Sequence, residues 1–408
     1  MTTQALEQIR VLDLSRILAG PWCTQLLADL GAEVIKIERP GAGDDTRGWG
    51  PPFLRDHEGN ETTDASYYLA ANRGKKSAAV DISTPQGQKI LLQLAESCDV
   101  LVENYKVDGL KKYGLDYQSL SDINPKLVYC SITGFGQTGP YAHRAGYDFM
   151  IQAMGGLMSV TGEADDRPGA GPQKVGVAMA DILTGLYAAN AIQAALLHRE
   201  HSGRGQHIDM ALFDVQVAAL ANQALYYLVS GKTPGRAGNA HPNIVPYQVF
   251  ATRDGHIILA VGNDGQFARF CEVANCPEMS TDPNFSTNAR RVVNRTSLIP
   301  MLEKIMRERT SDEWLRVLET AGIPCGPIND IDQVFDDPQA KHRGLRWQTS
   351  HTVTDNLSMV KCPIEMSQTA VQQQSAPPLL GQHTDEVLGD LGLDGAVVKQ
   401  MRSDGVIG

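Results

Sequence analysis

Short apolar runs alternate with amphipathic segments through the first two hundred residues, and that rhythm admits few architectures. RVLDLS (10–15) reads as a strand, and AGPWCTQLLADLG (19–31) as a helix closed by a glycine. EVIKIE and SAAVD follow as strands, then the helix PQGQKILLQLAES and the strands VLVEN and LVYCSIT (127–133). Strands separated by helices predict a mainly parallel sheet covered on its faces, an α/β fold. Such sheets bind ligands beyond the carboxyl ends of their strands. After about residue 225 the character changes. GKTPGRAGNAHPNIVPY is a Gly/Pro/Asn-dense connection. It leads to short strands (YQVFAT, HIILAVG) and to helices in NRTSLIPMLEKIMRER and SDEWLRVLETAG. The expected division is a large domain from 1–225 and 330–408 and a small α+β domain over 230–325.

Composition narrows the function classes. The 36 Lys and Arg stand against 47 Asp and Glu, a net charge of −11, which argues against a nucleic-acid surface but leaves room for a local basic cavity. Seven cysteines without a CxxC pair suggest free thiols in a reducing compartment. The N-terminus carries no apolar signal region, so a soluble cytoplasmic protein without a membrane partner is expected. HREH (198–201) offers two histidines without an evident third ligand, and no metal site is expected. No GxSxG elbow is present.

One residue stands out chemically. Asp181 is the only charged side chain between Val175 and Leu197. Two readings fit. It caps the helix that follows, with Thr184 and Gly185 in the next turn, or it is a buried working carboxylate. GFGQTG (134–139) matches a dinucleotide fingerprint, yet Pro140 follows at once and no acidic residue sits at the required distance. An NAD-dependent oxidoreductase is therefore a weak alternative. Arg39, the run NRGKKS (72–77), Lys106, Lys111 and Lys112 fall near strand ends, where they can neutralise phosphates.

The ordered segments ERPGAGDDTRGWGPPF, NRGKKS, VENY, YCSITGFGQTGPYAHRAGYD, GVAMADILTGLYAA, GNAHPNIVPYQVF, GNDGQF and PPLLGQHT resemble the class III coenzyme A transferases of the CaiB/BaiF, formyl-CoA transferase-like type. The resemblance spans essentially the whole chain. It implies a Rossmann-like large domain built from both chain ends, a small domain between them, and two ring-like chains interlocked as a homodimer. It places the catalytic aspartate at Asp181, acting through aspartyl anhydride and aspartyl-CoA intermediates. Gly262 and Gly265 in GNDG resemble the family's oxyanion loop. Coenzyme A contacts are implied at Ile17, Leu18, Ala19, Arg39, Val80, Asn104, Tyr105, Lys112, Thr133 and Phe135. Thr133 and Phe135 stand where the formyl-CoA enzyme has lysine and tyrosine, and Ser83 replaces another lysine. ERPGAGDDTR and RAGYD look most like members that pass CoA between succinate and glutarate-type acids. That implies succinyl-CoA as donor and a dicarboxylate acceptor, with Arg47 or Arg144 holding its far carboxylate. The family also includes an α-methylacyl-CoA racemase, whose second acid/base is a histidine. Tyr147 occupies that place here, which disfavours the isomerase alternative.

Overall fold

The computed structural model describes residues 4–372 and 375–408. Two compact units divide the chain: one from 1–157, 175–229 and 338–408, the other from 158–174 and 230–337. Residues 158–174 thus belong to the second unit, not to the large domain where the sequence rhythm puts them.

The first unit is built on six strands with helices between them. In chain order these are β1 (Arg10–Asp13), α1 (Ala19–Asp29), β2 (Glu33–Glu38), β3 (Lys75–Ala79), α2 (Pro85–Ser97), β4 (Val100–Glu103), β5 (Val128–Thr133), α3 (Asp148–Met154), α4 (Met179–Ser202), β6 (His207–Ala211), α5 (Leu212–Ala219) and α6 (Ala221–Ser230). The sheet order is β3-β2-β1-β4-β5-β6, and every neighbouring pair runs parallel. The direction of winding reverses between β1 and β4, which opens a crevice at their carboxyl ends. Both faces are covered, so the strands are nearly continuous apolar runs: Val11, Leu12, Val34, Ile35, Val100, Leu101 and Val102 are all buried. Leu91, Leu94, Leu388 and Val398 fill one side; Leu27, Ile151, Ala188 and Ile192 fill the other.

Helix α4 packs along α1, and Gly185 sets the separation. A Cβ there would lie 2.7 Å from the Ala19 carbonyl oxygen and 3.1 Å from Trp22 Cβ. By length and composition α4 could also cross a bilayer, but here Ala180, Thr184, Ala188, Ala189, Ile192 and Ala195 are buried within the unit.

The second unit holds a three-stranded antiparallel sheet, β7 (Tyr247–Ala251), β8 (His256–Ala260) and β9 (Cys325–Pro327), with helices α7 (Asp264–Val273), α8 (Arg295–Met306) and α9 (Ser311–Thr320). Phe250, Phe267, Phe270, Leu302 and Trp314 form its core. A capping box of Thr310 and Glu313 starts α9. Past 338 the chain returns to the first unit with an antiparallel pair, β10 (Arg346–His351) and β11 (Thr354–Val360), and the helices α10 (Thr384–Asp390) and α11 (Gly395–Ser403).

Candidate active site

Two cavities open at the crevice of the first unit. The larger, about 530 Å³, is lined by Arg16, Ile17, Leu18 and Ala19 after β1, by Asn104, Tyr105 and Lys112 after β4, by Thr133 and Gly134 after β5, by residues 142–147, and by Asp181. The smaller, about 430 Å³, is lined by Arg39, Val80, Ser83 and Lys36, and shares Arg16, Asp45, Tyr105 and Tyr113 with the first. Most of the cofactor residues expected from the sequence therefore lie along one continuous trough. Phe135 is not in that lining. It is half-buried against the core and packs on Phe213 and Tyr141.

The turn after β1 is held from below. Ile17 has φ of 71°, a conformation that a β-branched residue adopts only under constraint. Its N–H donates to both oxygens of Asp44 at 3.3 Å. Asp44 is paired with Lys36 at 2.9 Å, and Lys36 Nζ also donates to the Ser15 carbonyl at 2.8 Å. Asn104 uses both ends of its amide on Arg16, accepting from its N–H at 2.9 Å and donating to its carbonyl at 2.7 Å. Asn104 lines the cavity, but its hydrogen bonds fix the turn.

Asp181 sits in the first turn of α4, half-buried and facing the larger cavity. It is not the cap: that position is Ala178, which has no capping side chain. Burial, then the nearby charge of Asp148, push the Asp181 carboxyl up to about 7. Burial, then the charges of Asp181 and Asp148, raise the Tyr67 phenol. Tyr147 and Arg144 also line the cavity. Arg144 stacks over Tyr141, its guanidinium carbon 4.5 Å from the ring centre, and has no carboxylate partner among the described residues.

Arg47 is different, and the expectation that it holds substrate fails. Its Nε and Nη2 donate to Glu38 at 2.8 and 2.7 Å, and its Nη1 donates to Asp64 at 2.6 Å. It also lies 3.7 Å over the Tyr68 ring. Each of its three nitrogens is engaged inside the fold and the side chain is buried, so it is not presented to a substrate carboxylate.

Gly262 and Gly265 belong to the second unit. The Gly262 N–H donates to Gln266 Oε1 at 2.7 Å, and Gly265 lies within the first turn of α7, capped by Asn263. The GFGQTG segment opens no helix. Gly134 instead lets two loops touch, since a Cβ on it would lie 2.5 Å from Gly146 Cα. The Gln137 N–H donates to Asp209. Among the described residues no group of three or more His, Cys, Asp or Glu is placed to hold a metal ion.

The sequence reading missed Asp148. Its Oδ1 accepts from the N–H groups of Ala180 and Asp181 at 2.8 and 3.3 Å, so it caps α4 from another helix. The only sequence signal was the D of RAGYD, 33 residues upstream.

These features define a doubly wound α/β protein with a trough at its switch point, lined by cations and by a half-buried carboxylate. The profile of CoA-transferase family III matches residues 6–384, and the chain belongs to that family. It is similar to a succinate–glutarate CoA-transferase of Agrobacterium fabrum, 51% identical and covering 95% of each chain. The human succinyl-CoA:glutarate CoA-transferase is 45% identical over 98% of this chain and 90% of its own. The crystal structure of a CaiB/BaiF family protein from Brucella suis superposes with a TM-score of 0.85 at 50% identity, covering 96% of this chain and all of that one. The chain is thus a class III CoA-transferase, with an acyl-CoA as substrate.

Proposed function

We propose that this enzyme moves coenzyme A from succinyl-CoA to glutarate or a close dicarboxylate, with Asp181 as the acyl carrier. The observation that carries the reading is one half-buried carboxylate on the wall of a trough whose other groups suit an anionic, elongated thioester. Asp181 attacks the thioester carbonyl; the C–S bond breaks, CoA leaves as thiolate, and a mixed anhydride remains. The thiolate then attacks the aspartyl carbonyl, releasing succinate and leaving an aspartyl-CoA thioester. The acceptor carboxylate attacks that thioester, expelling the thiolate and forming a second anhydride. Attack of the thiolate on the acceptor's acyl carbon yields the new acyl-CoA and regenerates Asp181. No net proton is consumed.

Along the trough, Arg39 and Lys112 are exposed cations suited to phosphates, and Ile17, Leu18, Ala19 and Val80 offer apolar contact. Arg144 is the cation available for the acceptor's far carboxylate. An oxyanion role for the Gly262–Gly265 turn requires Gln266 to release the Gly262 amide. The names of the similar Agrobacterium and human enzymes support succinate and glutarate as the acid pair. Seven unpaired cysteines support a reducing, cytoplasmic setting. The working form is an interlocked homodimer, supported by the apolar side chains that α4 and α6 leave exposed.

The test is incubation with succinyl-CoA and a panel of free acids, read by mass spectrometry of the thioesters. Glutaryl-CoA should form in step with free succinate. With a 2-methylacyl-CoA and D₂O in place of those substrates, deuterium gained at the α-carbon without transfer would instead establish the isomerase.

A further inference from the structure

A nucleophilic carboxylate at a helix N-terminus must be aimed as well as ionised, and the aiming groups here come from outside its own helix. We propose that Asp148 and Gln152, on α3, form a positioning pair that fixes the first turn of α4 and so the reach of Asp181 into the cavity. The proposal rests on the reading of Asp181 as the acyl carrier.

The hydrogen bonds run in one sense only. Gln152 is fully buried; its Oε1 accepts from the Val175 N–H at 2.9 Å. That contact orients the amide, so its Nε2 faces Asp148 Oδ2 and donates to it at 2.7 Å. With Oδ2 so held, Oδ1 accepts from the N–H groups of Ala180 and Asp181. Residue 148 therefore has to accept on both oxygens, which a carboxylate does and an amide does not. Ala178 supplies no cap of its own, so this borrowed carboxylate satisfies two of the orphan donors of the turn. The close approach of Gly134 to Gly146 seats the loop that delivers Asp148.

The same arrangement places a second negative charge beside Asp181. Asp148 is the charge that bears on it after burial. The Tyr67 phenol feels the charge of both, and Arg16, Lys112, His143, Arg144 and Tyr147 line the cavity that Asp181 faces. The elements packed on α4 also carry Cys23 and Asp29 on α1, Asp214 on α5, Tyr129 and Cys130 on β5, and His207 and Asp209 on β6. Asp29 is held by Arg73.

Asp148→Asn puts an NH₂ group against either Gln152 or the helix amides. It also removes the charge that helps hold Asp181 protonated. Three measurements test the pair with succinyl-CoA as probe. In Asp148→Asn, kcat should fall about 10- to 100-fold through misplacement, and the acid limb of kcat/KM should move to lower pH. The double variant Asp148→Asn/Gln152→Glu restores donor-to-acceptor matching between the two side chains, gives up only the longer Gln152 bond to the Val177 carbonyl, returns a charge to the adjacent side chain, and should recover at least about tenfold of the lost kcat. Hydroxylamine trapping after exposure to succinyl-CoA locates the acylated residue in the wild-type protein. Label on Asp181, with kcat and the acid limb unmoved in Asp148→Asn, overturns the positioning role alone. No recovery in a folded double variant, judged by circular dichroism and thermal melting, overturns the donor–acceptor account. Label on another carboxylate overturns both the carrier reading and this one.

Discussion

At the scale of single residues, Asp181 carries opposed demands. A nucleophile has to be ionised, but burial and Asp148 hold its carboxyl at about 7. The transferase rate should therefore climb as pH rises through 7. In stability the sign reverses. The folded-state value lies above the ordinary carboxylate value, so the folded chain binds the proton more tightly, and stability is lost as pH rises from about 4 through 7. Asp181→Asn removes that loss. It should abolish transfer by several orders of magnitude while raising Tm by about 2–4 °C at pH 8 and by less at pH 5. A Tm gain equal at both pH values would show that the carboxylate bears no such strain. Arg144 gives the second expectation at this scale. A hydrogen bond to a charged group contributes about 1.5–3 kcal/mol, so Arg144→Met should raise the KM for glutarate about 10- to 100-fold. The KM for succinyl-CoA carries the same signature if succinate's free end docks there too, whereas affinity for CoA alone stays near wild type. Unchanged glutarate kinetics would release Arg144 from that role.

At the scale of elements, the cofactor turn stands on a layer of buried charge between β1, β2 and β3. Burial raises the Asp13 carboxyl, but Lys75, Lys36 and the hydroxyls of Ser15 and Thr24 outweigh it and hold it at about 2. Its stabilising share is thus present above pH 4 and is lost as pH falls through 2. Lys75 is fully buried, 3.1 Å from Asp13. Lys75→Met leaves that carboxylate with less compensation and should cost about 3–5 kcal/mol in urea unfolding at pH 7. Asp13→Asn/Lys75→Met should recover part of the loss; a double variant no better than the single one would mean that packing, not charge, was lost. This layer was hidden in the sequence. The β–α–β rhythm was legible because strand and helix periods are local, and α2, β2 and β4 fall where that rhythm puts them. Arg47 was misread because its partners Glu38, Asp64 and Tyr68 are spread over thirty residues and meet only after folding. The edge strand β6 went unseen because HIDMA, open on one side, lacks an apolar run. Asp148 escaped for the same reason as Arg47: a cap borrowed from another helix leaves no N-cap motif next to the helix it serves.

At the scale of the whole molecule, the exposed side chains bear on assembly. Helix α6 leaves Leu228 and Val229 72% and 83% accessible, and α4 leaves Leu186, Tyr187 and Leu197 exposed. Large apolar side chains left exposed on two helices of the first unit are the kind of surface that an interaction covers. A homodimer, as proposed, should appear in sedimentation equilibrium, and exchange tests whether its two protomers are interlocked. Two protomers that merely abut dissociate on dilution and trade partners at a rate set by that dissociation. Two threaded rings separate only when a chain unfolds, so their exchange is governed by the unfolding rate. Mixing tagged and untagged dimers at nanomolar concentration should yield no mixed species over hours at 25 °C. Mixed dimers should then form after denaturation and refolding together. Rapid formation of mixed dimers in native buffer would rule out threading while leaving the dimer intact, and a folded monomer at micromolar concentration would rule out both.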